Sequence, residues 1–95
     1  MRRSMLDILA CPIDKYYPLE LIEIDTTTDT TINEMVIKEG VLFCSQCSRF
    51  YPIIEEIPVM LPDELREKEK DIEFLKKWQE IIPSKITKNG FPWHL

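Results

Sequence analysis

Hydrophobic and polar positions alternate in short runs through the first two-thirds of the chain. Runs rich in Ile, Val, Leu and Phe predict strands over residues 19–25, 35–43, 49–54 and 57–61, with a break in the second at Gly40. The threonine-rich stretch 26–31 has few apolar residues and predicts an exposed hairpin loop between the first two strands. The pattern therefore predicts a small antiparallel sheet of about four strands.

Two prolines constrain the third and fourth predicted strands. Pro52 and Pro58 lack the N–H that a sheet ladder needs, so we expect both strands to lie at a sheet edge or to contain bulges. The fourth run, residues 57–61, is almost wholly apolar, and alternate side chains of a strand point to opposite faces. We therefore expect some of these side chains to face the core and the others to form an exposed template for pairing with another chain.

Helical signals lie at both ends of the chain. Ser4 and Asp7 resemble a capping box, which predicts a short helix over residues 5–10. Apolar residues recur at helical spacing over residues 63–82, and Pro83 is expected to end this C-terminal helix. The predicted fold class is thus α+β, a small antiparallel sheet with a short N-terminal helix and a C-terminal helix.

The C-terminal third contains a charged run and an apolar tail, which predict opposite degrees of solvent exposure. The run 66–71 alternates charge and is expected to form a solvated helix face, with Leu65 on the opposite, apolar face. The tail, residues 91–95, is apolar. We expect the tail to dock on this chain or on a partner.

Length and charge limit what the chain can be. Its 95 residues predict a single small domain, residues 1–95, with a thin core in which a metal or a partner often supplies part of the stability. The net charge of −5 opposes direct contact with phosphate backbones. The odd number of cysteines and the lack of an N-terminal apolar run argue against a secreted disulfide framework, a signal peptide and a membrane span, and favour a cytoplasmic protein.

The cysteines define a candidate metal site. Residues 11–14 read C-P-I-D and residues 44–47 read C-S-Q-C, which is a pair of zinc knuckles with one thiolate exchanged for a carboxylate of the same charge. The candidate zinc ligands are Cys11, Asp14, Cys44 and Cys47. Two interpretations remain open: the four residues bind zinc, or Asp14 closes an Asx-type turn and the thiols are small buried apolar groups. His94 is a second candidate for the fourth ligand.

Signatures of catalysis and cofactor binding are missing from the sequence. Two glycines cannot form a phosphate-binding glycine loop, and the single histidine, His94, lies in the tail away from any nucleophile motif. A redox role for Cys44 and Cys47 would need a C-x-x-C motif that opens a helix, whereas the neighbouring residues predict strands. We therefore predict a protein that is not an enzyme, with no catalytic residues and no organic cofactor.

Four segments carry a resemblance to a known family. Residues 9–12, 40–44, 49–53 and 57–62 read L-A-C-P, G-V-L-F-C, R-F-Y-P-I and I-P-V-M-L-P. In the order and spacing of these segments the chain resembles the small zinc-ribbon activator subunit shared by tRNA, rRNA and release-factor methyltransferases, in its short archaeal form. The resemblance implies a non-catalytic subunit that forms a heterodimer with class I S-adenosylmethionine-dependent methyltransferases and contacts nucleic acid only through that partner.

The resemblance also implies that strands pair between the two subunits. The residues expected to contact the partner are Met5, Leu9, Phe50, Ile57, Pro58, Val59, Met60 and Leu61. The family commonly has cysteine where Asp14 stands, and many members have glycine at the position of Glu56. A turn with positive φ would be strained at a glutamate, so we expect a turn of another type there. An alternative function is a free-standing zinc ribbon that binds RNA or the transcription and translation machinery.

Overall fold

The computed structural model of the protein describes residues 1–31 and 33–95, apart from the side chains of residues 3, 7, 29 and 34. Its elements in chain order are a 3₁₀ helix (Arg3–Ile8), strands β1 (Glu20–Asp29), β2 (Glu34–Phe43), β3 (Phe50–Ile54) and β4 (Ile57–Pro58), a 3₁₀ turn (Asp63–Leu65), and helices α1 (Lys68–Lys77) and α2 (Ser84–Thr87). The strands form one antiparallel sheet in the order β1-β2-β3-β4. The predicted α+β class with four antiparallel strands is confirmed.

The N-terminal helix is present as a 3₁₀ helix, but it begins two residues earlier than predicted, at Arg3. Its N-cap is Arg2, which makes no side-chain capping hydrogen bond. Ser4 therefore lies inside the helix instead of capping it. The side chain of Asp7, which was predicted to complete a capping box, lies outside the described part of the chain.

The first hairpin is longer than predicted. Residues 26–28 of β1 pair with residues 35–37 of β2, and the ladder continues to the pair Asp29 and Glu34. The predicted exposed loop over residues 26–31 was therefore wrong for residues 26–29. Threonine is β-branched and fits a pleated strand, so low hydrophobicity alone did not indicate a loop.

β2 runs through Gly40, where a break was predicted. Here β1 comes so close that a Cβ on Gly40 would lie 2.8 Å from the carbonyl oxygen of Ile22, a distance that Cβ atoms essentially never show. The register between the two strands shifts beside this contact, between Glu23 and Asp25. Glycine is therefore required here by the close approach of two backbones and not by a turn.

Alternate residues of the sheet contribute to two separate cores. The knuckle-face core consists of buried Met1, Cys11, Leu19, Ile37, Leu42, Cys44, Tyr51 and Ile53. The helix-face core consists of buried Val41, Phe43, Phe50, Phe74, Leu75, Ile82 and Ile86. Successive residues of β2 and β3 thus point to opposite faces, as the pleat of a strand requires. The segment around the 3₁₀ helix packs on the first core through Met5, Leu6 and Leu9, and α1 and α2 cover the second.

β4 is an edge strand, as Pro58 predicts, but it has two residues instead of the five expected. β3 is not an edge strand, because it lies between β2 and β4. In an antiparallel strand the N–H and C=O of one residue point to the same side. At Pro52 that side faces the short strand β4, so the missing N–H does not interrupt the ladder between β3 and β2. There the Pro52 oxygen accepts a hydrogen bond from the Val59 N–H at 2.8 Å.

The C-terminal helix is present but shorter than the predicted span 63–82. A 3₁₀ turn and two extended residues precede α1, and α2 begins directly after Pro83. Phe74 and Leu75 of α1 are buried in the helix-face core, whereas Leu65, predicted to share one apolar face with Leu75, is 63% exposed. Within the described part of the chain, no helix has the length and apolar character that crossing a bilayer requires.

The tail, residues 91–95, docks on this chain, one of the two sites predicted for it. Phe91 forms a parallel bridge with Arg49; its N–H donates to the Ser48 oxygen at 2.8 Å and its oxygen accepts from the Phe50 N–H at 3.2 Å. The tail therefore extends the sheet beside the second pair of candidate metal ligands.

Candidate metal site and partner-binding surface

The two candidate knuckles, residues 11–15 and 44–48, have the same backbone turn. In the first, the Lys15 N–H donates to the Cys11 oxygen at 2.9 Å; in the second, the Ser48 N–H donates to the Cys44 oxygen at 2.8 Å. The last residue of each turn is left-handed, with φ of 63° at Lys15 and 62° at Ser48. Residues at the same position in the two turns, counted from Cys11 and from Cys44, are therefore structurally equivalent.

A second pair of hydrogen bonds extends this equivalence beyond the turns. The Cys11 N–H donates to the Tyr16 oxygen at 3.0 Å, and the Cys44 N–H donates to the Arg49 oxygen at 2.9 Å. Asp14 consequently stands where the second knuckle has its second cysteine. The carboxylate is presented by a backbone that is already shaped to present a ligand.

The four candidate ligands converge on one point. One donor atom from each of Cys11, Asp14, Cys44 and Cys47 lies within 4.8 Å of all the others. The Cys11 and Cys47 sulfurs are 3.7 Å apart, and the Cys44 sulfur is 3.6 Å from both oxygens of Asp14. Zn–S bonds of about 2.3 Å and a Zn–O bond of about 2.1 Å at tetrahedral angles give edges of about 3.8 Å and about 3.6 Å. The Cys11–Cys47 and Cys44–Asp14 distances therefore match edges of a tetrahedral zinc site, and the four donors lie close enough to hold a metal ion.

The position of Asp14 is compatible with both interpretations that the sequence left open, a metal ligand and an Asx-type turn. Its Oδ1 accepts a hydrogen bond from the Tyr16 N–H at 2.9 Å, so it does close an Asx-type turn. That same bond holds the carboxylate beside the Cys44 sulfur, as a fixed ligand would need. His94 lies outside the cluster, with its Nδ1 3.2 Å from the Gly90 oxygen.

Burial and hydrogen bonding act differently on the ligands. Burial raises the pKa of the Cys44 thiol to about 12. Burial also raises the pKa of Cys11, but hydrogen bonds from the Tyr51 hydroxyl and from backbone N–H groups outweigh it and leave that pKa below its ordinary value. The backbone N–H of Tyr16 lowers the pKa of Asp14. A buried thiol with a raised pKa is a poor nucleophile, so the raised pKa does not favour thiol-disulfide exchange at Cys44.

Groups around the ligands connect the site to the rest of the fold. The Tyr51 hydroxyl lies 3.1 Å from the Cys11 sulfur. Arg49 donates from Nε and Nη2 to the two oxygens of Asp63 at 2.9 Å and 2.8 Å, and its pKa is raised first by Asp63 and then by Cys47. The arginine therefore lies between the second knuckle and the segment that follows β4.

Most of the residues predicted to contact a partner are consecutive, residues 57–61, and lie along one edge of the sheet, here called the apolar edge. Ile57 is 65% exposed and Leu61 is 36% exposed, while Pro58, Val59 and Met60 are half-buried. Met5 and Leu9 are half-buried and pack against the knuckle-face core. Phe50 is fully buried in the helix-face core, because its position in β3 points it beneath α1. Phe50 therefore belongs to the core and does not form part of the exposed surface.

Arg66 was predicted to lie on a solvated face together with Asp71, but both side chains are largely buried, 2% and 11% exposed. The guanidinium carbon lies 5.0 Å from the ring centroid of Phe50 and 4.8 Å from that of Tyr51. It donates to the Leu61 oxygen at 3.2 Å, to the Phe50 oxygen, and to Oδ2 of Asp71 at 3.4 Å. Phe50 and Tyr51 point to opposite faces of the sheet, so Arg66 contacts one aromatic ring from each of the two cores.

The turn between β3 and β4 is of the type that the glutamate was expected to avoid. Glu55 and Glu56 have φ of 50° and 72°, so both are left-handed, as in a two-residue hairpin turn. The Glu56 N–H donates to the Lys38 oxygen at 2.9 Å, and the Met1 amino group donates to the Glu56 oxygen at 2.6 Å. The expectation of another turn type was therefore wrong, because these surrounding bonds impose the conformation.

A comparison with models of protein families finds a match to this sequence. A sequence model of the Trm112p-like protein family matches residues 2–56, more than half of the chain. The matched segment includes both knuckles and ends at the Glu55-Glu56 turn, so the apolar edge and helices α1 and α2 lie beyond it. No curated protein matches the chain significantly.

Proposed function

Because the chain belongs to the Trm112p-like protein family, whose members activate methyltransferases, we propose that it is a non-catalytic subunit that activates and stabilises a methyltransferase. The partner would be a class I S-adenosylmethionine-dependent enzyme acting on tRNA, rRNA or a translation release factor, in a cytoplasmic heterodimer. RNA would be bound through the partner, since the net charge of −5 opposes direct binding to phosphate.

The exposed apolar edge is the observation that supports this function most directly. Ile57 and Leu61 project from the end of the sheet where β4 ends the ladder, with no further strand described beyond it. An obligate interface commonly buries more than about 2,000 Å² in total, or about 1,000 Å² on this chain. The whole chain exposes 5842 Å², so the partner would cover about a sixth of its surface.

The metal site would have a supporting role in this function. Zinc held by Cys11, Asp14, Cys44 and Cys47 would fill a closed four-ligand site, which stabilises structure and leaves no open position for a substrate. It would fix the first knuckle against the second, beneath the sheet that carries the apolar edge. Arg49 and Asp63 then connect the second knuckle to the residues that follow this edge.

Co-expression tests the proposal. The chain is produced together with each class I methyltransferase catalytic subunit of its own organism, and solubility, co-purification and methyl transfer are measured. We expect at least one enzyme to become soluble and active only with the chain. Ile57→Ser should abolish this effect, because it removes the most exposed side chain of the apolar edge.

The matched control is Ile81→Ser, which alters an isoleucine that is 51% exposed after α1, away from the apolar edge. It should leave complex formation unchanged. If every enzyme is equally soluble and active without the chain and none co-purifies with it, the proposal is wrong. Salt-dependent binding of RNA by the isolated chain would favour the free-standing zinc ribbon instead.

A further inference from the structure

Tyr51 of β3 connects the ligand cluster to the interior of the knuckle-face core. Its side chain is fully buried there, and its hydroxyl oxygen lies 3.1 Å from the Cys11 sulfur. The hydroxyl is the polar end of a large apolar side chain, and such a group needs a hydrogen-bond partner when it is buried. The partner that the described part of the chain offers is Cys11, a candidate metal ligand.

The direction of this hydrogen bond depends on the state of Cys11. A thiol can donate or accept, so either atom can be the donor in the metal-free chain. A cysteine that binds a metal does so as a thiolate, which has no proton to donate. The phenol of a tyrosine keeps its proton at neutral pH, since its ordinary pKa is about 10. With a metal bound, the Tyr51 hydroxyl must therefore be the donor and the Cys11 sulfur the acceptor.

The charge of the ligand set makes such a donor valuable. Three thiolates and one carboxylate contribute four negative charges, of which Zn²⁺ cancels two. Cys11 and Cys44 are fully buried, where uncompensated negative charge is costly. A hydrogen bond donated to a thiolate stabilises its charged form, and it is stronger than one to a neutral thiol. The Tyr51 hydroxyl would therefore stabilise the metal-bound site more than the metal-free one.

The fold holds the Tyr51 ring in place before any metal binds. Tyr51 pairs with Leu42 of β2, inside the sheet. The Arg66 guanidinium carbon lies 4.8 Å from the centroid of the ring, and this guanidinium is itself bonded to Asp71. A donor that is already in position loses little further side-chain freedom when the metal arrives, so more of the hydrogen bond contributes to affinity.

We propose that Tyr51 is a positioning residue of the metal site, which orients the Cys11 thiolate and stabilises its charge through a donated hydrogen bond. Partners of this kind around metal ligands typically contribute about 10-fold to 100-fold to metal affinity. The competing explanation is a role in packing alone, since the ring fills the core with or without its hydroxyl. The proposal concerns metal binding and does not depend on the proposed methyltransferase partner.

The test compares wild type with Tyr51→Phe, which keeps the ring and removes only the hydroxyl. Zinc affinity is measured by chelator competition, and Co²⁺ is bound in place of zinc so that the thiolate-to-cobalt charge-transfer band reports on the sulfurs. Tyr51→Phe should weaken zinc binding about tenfold. The band should move to longer wavelength, because a thiolate that loses a hydrogen bond gives up an electron more easily. The melting temperature of the metal-free chain should change by less than about 5 °C, since the ring packing is retained.

The matched control is Tyr17→Phe, the same change at a tyrosine that is 52% exposed and lies outside the ligand cluster. It should leave the zinc affinity and the cobalt band unchanged. Wild-type affinity and an unmoved band in Tyr51→Phe overturn the proposal. A loss of affinity without a band shift also overturns it, because a packing role alone would give that result. If the wild-type chain binds neither metal, the proposal fails together with the metal site, whereas the proposed function is tested separately by co-expression.

Discussion

The two faces of the sheet are held together in different ways. On the helix face, α1 and α2 cover a core that includes Phe43, Phe50 and Phe74, so apolar burial alone can stabilise it. On the knuckle face the described cover includes one short 3₁₀ helix and no α-helix, and Cys11 and Cys44 belong to the core itself. A small domain can thus be stabilised by apolar burial on one side of a sheet and carry a cluster of candidate metal ligands on the other.

Removing the residue that joins the two faces should have the largest effect. Arg66→Met leaves the carboxylate of Asp71 buried and unpaired, which should lower the free energy of unfolding by about 3–5 kcal/mol. Asp71→Asn in the same chain should recover much of the loss, since the amide oxygen can still accept the hydrogen bond from Trp93 Nε1. Denaturant unfolding of the single and double variants measures both effects. An equally large loss in the double variant would show that ring stacking dominates.

A cavity on the helix face should be almost as costly, without touching the ligands. Leu75 is fully buried in the helix-face core, so Leu75→Ala should lower the free energy of unfolding by about 2–5 kcal/mol. Zinc affinity under native conditions should stay unchanged, because the side chain lies across the sheet from the knuckles. Parallel unfolding and chelator-competition measurements check this. A matching loss of zinc affinity would contradict the separation of the two faces.

The reverse experiment changes the knuckle face alone. Asp14→Ala should weaken zinc binding on the order of 100-fold, while Asp14→Cys should strengthen it by supplying a fourth thiolate. Trp78 and Trp93 pack against the helix-face core, so their fluorescence should not change in either variant. Asp14→Asn is the matched control, since it retains an acceptor for the Tyr16 N–H but loses the charge. Unaltered zinc affinity in Asp14→Ala would show that Asp14 is not a ligand.

The smallest effect is expected from the ion pair between the knuckle and the apolar edge. Hydrogen bonds from Arg49 hold the pKa of Asp63 below its ordinary value of 3.8, so the pair stabilises the fold above that pH. Asp63→Asn should therefore lower the free energy of unfolding by about 1 kcal/mol at neutral pH. The difference from wild type should disappear as the pH falls below 3.8 through the folded-state pKa of Asp63. A difference that persists in acid would assign the loss to packing and not to charge.

Local patterns in the sequence predicted the features that depend on near neighbours. Residue alternation predicted the four strands, and the spacing of Cys11, Asp14, Cys44 and Cys47 predicted a cluster that the structure brings together. Both succeeded because strand pleat and knuckle geometry are set within a few residues. The same alternation, applied more strictly to β3, would have placed Phe50 in a core.

The predictions that were wrong concern residues whose conformation or burial depends on contacts with distant parts of the chain. Arg66 belongs to a charged run, and its burial follows from rings 15 and 16 positions earlier, at Tyr51 and Phe50. The left-handed turn at Glu56 is held by hydrogen bonds of Glu56 with Lys38 and Met1, which lie on distant parts of the chain. An arginine can stack on rings and donate to several carbonyls at once, which was the one available signal that residue 66 differed from its lysine neighbours.

The ligand cluster also has a consequence for the order of folding. Arg66 bonds residues that lie 5 and 16 positions away, whereas the Cys11 sulfur meets the Cys47 sulfur 36 positions along the chain. Closing the longer loop costs more entropy, and contacts between distant residues form more slowly. We expect the hairpin of β3 and β4 to join α1 early and the four ligands to assemble late. Capture of a metal ion would then mark the completion of the fold.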